Sequence, residues 1–488
     1  MKVKDLCSLE TLLKELNGFR LTKSPLFPEF SLDRMFVDII DCKVIKDNNR
    51  RQVLFLETPD GGFYLKRSIL IREKDRLRHL LLPRRRWAEW RNLHRLHNAQ
   101  IAAARPVMKG ENKGAQPKIF FLLTEKVDGT LLKFDSFIDA RKLGQYIALL
   151  HSRGVYHADL HPGNIILKPD NQPCLIDVQE VFLLPWLPSW LRIYNLGKLF
   201  FHLSYHSDSG KWREELLSGY NQGRRELVTT SKLVKALDRH QQRYYRSRGK
   251  RCFKNSTGFA IVKSNELRGY KRRSFTWGAQ ELRQALEKGK VLKPGRSITF
   301  NGVWIKTHHR KFIFPDRCFT SWKKSRALEV RDISTPRSLG YFKMDGKSFF
   351  LSEYLVGGML LNDYLSSFTD EQQKRQALKD LAIWLKKVHD CSIWHKDFKS
   401  SSILCQNGQY YIVDLDGVRI RRLTEENKIV FFGQLNASLS DAITCKDRLR
   451  FYYYYSAEKM PMRQQRRKIY REVWDLKSAK AIKNPYHK

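Results

Sequence analysis

One short signature occurs twice in this chain, and a chain that repeats itself at length has few folds open to it. "HADLHPGN" (157–164) leads to "LID" (175–177), and "HKDFKSSS" (395–402) leads to "IVD" (412–414). Around each copy further blocks return in one order. "GGFYLKR" (61–67) answers to "NGVWIKT" (301–307), and "EWRNLHRLHNAQIAAARP" (89–106) to "SWKKSRALEVRDISTP" (321–336). "IFFLLTEKVDGTLL" (119–132) answers to "SFFLSEYLVGGMLL" (348–361), and "LGQYIALLHSRGVYHADL" (143–160) to "LAIWLKKVHDCSIWHKDF" (381–398). Self-similarity at a fixed order signals repeated structural units. We therefore expect two copies of one domain, at 1–245 and 246–488, meeting near the polar, basic stretch "RHQQRYYRSRGKRCFK" (239–254). With 488 residues, 42% of them hydrophobic, the chain has material for two cores.

Within each copy the first block reads as a β-rich run reaching a lysine, Lys66 or Lys306. The second opens as a helix, and the third is an apolar strand ending near Glu125 or Glu353 and a Gly turn. The fourth is a helix that runs into the signature. Moving a phosphoryl group from ATP needs a lysine on the phosphates, a carboxylate to hold that lysine, metal ligands, and a base for the acceptor hydroxyl. The first copy supplies each. Lys66 is the candidate phosphate lysine and Glu89, at the start of the next helix, its partner. Asp159 is the candidate catalytic base; Asn164 and Asp177 are candidate Mg²⁺ ligands, two protein oxygens being enough for an ion that keeps several waters. Glu125 and Glu353 fall where a hinge would border the adenine. A lone lysine on a strand is usually solvated and a lone aspartate after a helix is usually a cap; it is the set, in this order and spacing, that points to catalysis. His157 reads as structural, and Pro162 and Gly163 as shaping the loop.

These signatures, with the "EWRNLHRL…P" helix, resemble the bacterial lipopolysaccharide core kinases, the Kdo kinase and heptose kinase family, over roughly 45–200 and 280–455. The resemblance implies an α+β chain of two tandem protein-kinase-like domains, each a small β-rich N-lobe and a larger α-helical C-lobe. It also implies an ATP- and Mg²⁺-dependent phosphotransferase that acts on a Kdo or heptose hydroxyl of the lipopolysaccharide inner core or a related glycolipid. His161 stands two residues after Asp159, as in many small-molecule kinases, where protein kinases usually carry lysine. "VFLLPWLPSWLRIYNLGKLFF" follows "LIDVQE" directly, leaving no activation segment or APE motif. The loop is also similar to that of the atypical quinone-biosynthesis kinases, but their KxGQ motif is missing. No GxGxxG loop precedes Lys66. "CKVIKDNNRRQVLFLETPDGG" offers only Gly61 and Gly62, which read as a β-turn, so phosphate anchoring is expected to lean on Lys66 and basic surroundings.

In the second copy Lys306, Asp397 (base) and Asp414 (metal) persist, but Ser321 replaces Glu89 and Ser402 replaces Asn164. Lys399, two residues past Asp397, can neutralise phosphate charge, and Asp416 in "DLDG" can offer the metal an oxygen. Two readings stay open: a degenerate copy kept for packing or partner binding, and a weak or differently specialised second site, "HKDF" being the more similar to heptose kinases. The chemistry is expected mainly in the first copy.

Lys and Arg number 91 against 50 Asp and Glu, a formal charge of +41, which attracts polyanions. The expected partners are the core saccharide or glycolipid and the anionic inner-membrane surface. Nucleic acid is disfavoured, because no helix-turn-helix, zinc-finger or RNP pattern accompanies the charge. Eight cysteines without a CxxC pair fit reduced thiols and no structural metal. Met1–Arg20 has no apolar core of signal-peptide length. The expected location is cytoplasmic, peripheral on the inner membrane. The most apolar stretch, Val181–Leu203, is broken by Pro185, Pro188, Arg192, Asn195 and Lys198, which excludes a spanning helix. It is either a packed loop and helix or an interfacial segment. Two other functions compete: a protein kinase or autokinase, and a non-catalytic pseudokinase-type regulator that binds membrane or a partner.

Overall fold

The repeat is written into the order of the strands. A computed structural model describes residues 19–28, 30, 38–48, 51–70, 87–112, 118–132, 140–203, 209–224, 226–309, 315–421 and 423–456. Cys7 and most of the N-terminal segment discussed above lie outside these residues. The chain divides into two compact units, Met1–Gln242 and Arg243–Lys488. The first opens with strands β1 (Phe19–Lys23), β2 (Asp41–Asn48), β3 (Arg51–Thr58) and β4 (Gly61–Leu70), helix α1 (Ala88–Asn98), and strands β5 (Pro106–Asn112) and β6 (Lys118–Glu125). They form an antiparallel sheet in the order β1-β5-β6-β4-β3-β2.

Period-two alternation gives this sheet two faces. On β4, Phe63 and Leu65 point to one side and join Leu54, Leu56, Val107 and Leu123 in a small core. Lys66 points to the other side, in register with Leu122 of β6, whose side chain joins a larger core with Trp90, Leu93 and Leu96 of α1. The lysine is thereby aimed at α1. Those three residues share one stripe of the helix, and Glu89 occupies its first turn, where the helix dipole favours a carboxylate.

The helical lobe of the first unit follows: β7 (Thr130–Leu131), α2 (Ala140–Ser152), β8 (Val155–His157), β9 (Ile165–Leu167), β10 (Pro173–Leu175), β11 (Val181–Leu183), α3 (Ser189–Leu203), α4 (Ser209–Asn221) and α5 (Thr230–Gly249). Two short sheets, β10-β9-β7 and β11-β8, pin the loop between β8 and β9. Val181–Leu203 is therefore a strand and a helix. Leu196, Leu199, Phe200 and Leu203 are buried, whereas Phe182, Trp186 (71% exposed) and Trp190 (67% exposed) face outward. No helix among the described residues is long and apolar enough to cross a membrane.

The second unit runs β12 (Phe259–Lys263), β13 (Arg268–Arg272), α6 (Ala279–Lys288), β14 (Lys290–Lys293), β15 (Ser297–Phe300), β16 (Val303–His309), α7 (Arg317–Glu329), β17 (Ser338–Met344) and β18 (Lys347–Glu353). Its sheet order, β12-β13-β17-β18-β16-β15-β14, contains the first unit's order with one strand added. Lys306 of β16 lies in register with Phe350 as Lys66 does with Leu122. Then come β19 (Met359–Leu360), α8 (Leu361–Ser366), α9 (Glu371–Asp390), β20 (Ile393–His395), β21 (Ile403–Gln406), β22 (Gln409–Ile412), β23 (Val418–Ile420), α10 (Glu425–Ser438) and α11 (Cys445–Tyr455). The short sheets return as β19-β21-β22 and β20-β23. Left-handed backbone positions recur in pairs: Gln100 with Asp332, Gly154 with Ser392, and Asp177 with Asp414.

Each unit is thus a small β-rich lobe followed by a larger helical one, the expected α+β arrangement. The basic stretch at 239–254 contains the division at Gln242/Arg243 and is helical. It forms the last turns of α5 and a 3₁₀ turn, Lys250–Phe253, with Tyr245 and Cys252 buried and Arg331 stacked 4.2 Å from the Tyr245 ring centre. The seven described cysteines are all free.

Candidate active site

In the first unit Lys66 Nζ lies 2.5 Å from Glu89 Oε1, joining the fourth strand to the first turn of α1. Burial works to lower the Lys66 pKa. The charges of Glu89 and Asp177 more than offset it, so the pKa stands above the ordinary lysine value and the ammonium is secure. Helix α1 is tied in turn to the segment after Asp177: buried Asn92 donates to the carbonyls of Val178 and Val181 at 2.9 and 2.8 Å. Asp177 itself sits in the left-handed region (φ 52°), a strained position that directs its side chain independently of the strand before it.

The loop 157–164 is built from backbone bonds. His157 Nδ1 accepts from the Asp159 N–H at 3.2 Å, and burial holds this imidazole at about 4, neutral at physiological pH. Asn164 Nδ2 donates to the Asp159 carbonyl at 2.9 Å, which leaves Oδ1 as its free ligand atom. Among the described residues no cluster of three or more His, Cys, Asp or Glu side chains exists that could hold a metal. Asn164 Oδ1 and the Asp177 carboxylate nevertheless fit Mg²⁺, which takes one or two protein oxygens and completes its shell with phosphate oxygens and water.

Asp159 has a partner that the sequence did not reveal. Lys198 of α3 reaches 2.6 Å from Asp159 Oδ1 and also donates to the Ala158 carbonyl at 2.7 Å. One turn earlier Asn195 donates to the His157 carbonyl at 2.7 Å. Residues three apart share a helix face, so the polar interruptions Asn195 and Lys198 of an apolar stretch were the available signal. Burial raises the Asp159 pKa, but the hydrogen bond and charge of Lys198 outweigh it and hold the carboxyl below its usual range. His161 Nε2 lies 3.6 Å from the other carboxylate oxygen.

The Glu125 carboxylate is held by Arg105 at 2.5 and 2.6 Å, and Glu353 by Arg337 at 3.6 Å. The Gly61–Gly62 turn joins β3 to β4, with Thr58 Oγ1 donating to the Gly61 carbonyl at 2.9 Å. At the opposite end of β3, Arg51 donates to Gln179 Oε1 at 3.0 Å, two residues past Asp177. An arginine thus stands at the lysine's end of the sheet where a glycine loop is missing.

The second unit repeats the frame with altered parts. Lys306 Nζ is 2.5 Å from Asp416 Oδ1 and 3.6 Å from Asp414 Oδ1. Asp416, read in the sequence as able to offer a metal an oxygen, lies against the lysine through Oδ1. Asp414 is again left-handed (φ 56°). Asp397 pairs with Lys399 at 2.7 Å, and Ser402 Oγ donates to the Asp397 carbonyl at 3.4 Å where Asn164 does so in the first unit.

The description "Lipopolysaccharide kinase (Kdo/WaaP) family" belongs to the family profile that matches residues 42–220 and 306–455. Among solved structures the chain is similar to WaaP in complex with acyl carrier protein, at 19% identity over 46% of this chain and 99% of that one, with a TM-score of 0.34. It is also similar to an aminoglycoside-3'-phosphotransferase of type VIII, at 17% identity over 41% and 92%, TM-score 0.30. A third likeness is to WbdD, at 17% identity over 41% and 50%, TM-score 0.24. Comparison with curated proteins returns no match.

Proposed function

The chain belongs to the lipopolysaccharide kinase (Kdo/WaaP) family, and from that premise we propose that its first unit transfers the γ-phosphoryl group of ATP to a Kdo or heptose hydroxyl of a lipopolysaccharide inner core or related glycolipid. Membership makes it a kinase of two tandem protein-kinase-like domains. The observation that carries the assignment to the first unit is the 2.5 Å Lys66–Glu89 pair beside Asp177 and the Asp159 loop.

In this reading Lys66 grips the phosphates of ATP and Glu89 fixes the lysine's direction. Asp159, ionised through Lys198, accepts the proton of the sugar hydroxyl as its oxygen bonds to the γ-phosphorus and the bond to the ADP oxygen breaks. Mg²⁺, held by Asn164 Oδ1 and Asp177, would supply charge neutralisation on the phosphates. Arg51 adds positive charge where a glycine loop would have added backbone N–H groups.

The reading places the enzyme on the cytoplasmic face of the inner membrane as a peripheral protein. Its net charge of +41 and the exposed Phe182, Trp186 and Trp190 suit an anionic interface. Incubating full-length protein with ATP and lipopolysaccharide in anionic vesicles tests both parts. Phosphate is expected on the core saccharide and not on added peptides, and the protein should sediment with the vesicles at low salt and leave them at high salt. Label on peptide or on the enzyme alone would replace the saccharide assignment with a protein-kinase one, and sedimentation that ignores salt and lipid charge would remove the membrane one.

A further inference from the structure

Both ion pairs of the first site persist in the second unit, but each has one member supplied from a different element. The first exchange concerns the phosphate lysine. Lys66 is held by Glu89 on its helix, while the position two past Asp177 is the neutral Gln179. In the second unit the helix position is Ser321, 1% exposed and with its Oγ unpartnered. The position two past Asp414 is Asp416, and it takes Lys306 at 2.5 Å. Carboxylate and neutral residue have traded places across the same lysine.

The second exchange concerns the loop carboxylate. Asp159 takes its lysine from α3, and its loop carries His161 two residues on. Asp397 takes Lys399 from that loop position, and the helix position of Lys198 is filled by Gln434. Gln434 still donates to the carbonyl before the aspartate, Lys396 O, at 3.0 Å, as Lys198 does to Ala158 O at 2.7 Å. A half-buried lysine such as Lys306 gains from one acid, but nothing in packing requires that the exposed Asp397 also keep a lysine. The left-handed Asp414 and the Ser402 bond to the loop complete the frame.

We propose that the second unit is a second nucleoside-triphosphate-binding site, in which Asp416 orients Lys306 in place of a helix glutamate and Lys399 serves Asp397 in place of a helix lysine. The proposal rests on the kinase reading of the first unit and extends it to a site with its own charge set. Equilibrium dialysis of full-length protein against Mg²⁺ and a non-hydrolysable ATP analogue tests it. Wild type is expected to bind two nucleotides per chain; Lys306→Met and Lys66→Met should each remove one, the survivor showing that the chain is folded. Asp416→Asn should weaken only the second site, by about ten- to a hundred-fold, the range for a hydrogen bond to a charged group. Adding Ser321→Glu to Asp416→Asn should recover affinity by restoring the first unit's arrangement. One nucleotide per chain, lost in Lys66→Met and untouched in Lys306→Met, overturns the second site and leaves the first standing. No binding in wild type overturns both. A second site indifferent to Asp416→Asn overturns the role given to Asp416.

Discussion

Lys198 gives Asp159 its nearest charge partner, at 2.6 Å against 3.6 Å for His161 of its own loop. The pair is half-exposed on the carboxylate side, so its value lies in protonation state more than in stability. Burial alone would raise the Asp159 pKa; Lys198 turns the balance downward. A group with a depressed pKa stays ionised until pH falls through that lowered value, so the acid limb of the rate profile should lie below the ordinary carboxylate range. In Lys198→Met the burial effect loses its main opponent and the limb should move to higher pH, with kcat reduced and KM for ATP little changed. An unmoved limb would show that Lys198 only braces the loop. The Lys66–Glu89 pair was legible in the sequence because motif offsets place both residues. Lys198 was not, since its contact spans two elements and a lone lysine in an apolar run reads as an interruption. That Asp416 lies against Lys306 was not legible either, because only folding brings the two together.

At the scale of elements, the loop is held by a helix crossing with no room to spare. A Cβ on Gly144 of α2 would come 2.1 Å from the Leu216 carbonyl oxygen of α4, and one on Gly219 of α4 would come 2.1 Å from that of Arg141. The two backbones touch. At the end of α2 His151 is clasped by Tyr220 at 2.8 Å and Asn195 at 3.2 Å, and Asn195 bonds the His157 carbonyl. The second unit keeps part of this clasp as His389 and Tyr455, 2.7 Å apart. Gly219→Ala should therefore cost about 1–3 kcal/mol, the usual penalty of overpacking, and lower the melting temperature of the full chain. An unchanged melting temperature would contradict the close crossing. Strand and helix identities followed from hydrophobic period, as on β4 and α1. The helical state of 239–254 did not, because its charged residues dominate the composition while Tyr245 and Cys252 do the packing.

At the scale of the whole molecule, duplication was legible from the block order, and each unit has its own pair of cores, a smaller one on one face of its sheet and a larger one running from the other face and its helix into the helical lobe. What sequence alone could not show is that an acid still lies against Lys306 where Glu89 gives way to Ser321, because Asp416 reaches that lysine only through the fold. The charge of +41 suits both ATP and an anionic glycolipid, and so does not choose between units. In the proposed function the Asp159 site makes that choice. Mass spectrometry of core saccharide, after incubation with ATP and either wild-type or Asp159→Asn protein, puts that to the test. The account predicts one added phosphoryl group per acceptor sugar with wild type and a rate about 10²- to 10⁴-fold lower with Asp159→Asn, the share of a general base, while nucleotide binding to the variant persists. Undiminished transfer by Asp159→Asn, or a saccharide left unmodified by the wild type, would contradict it.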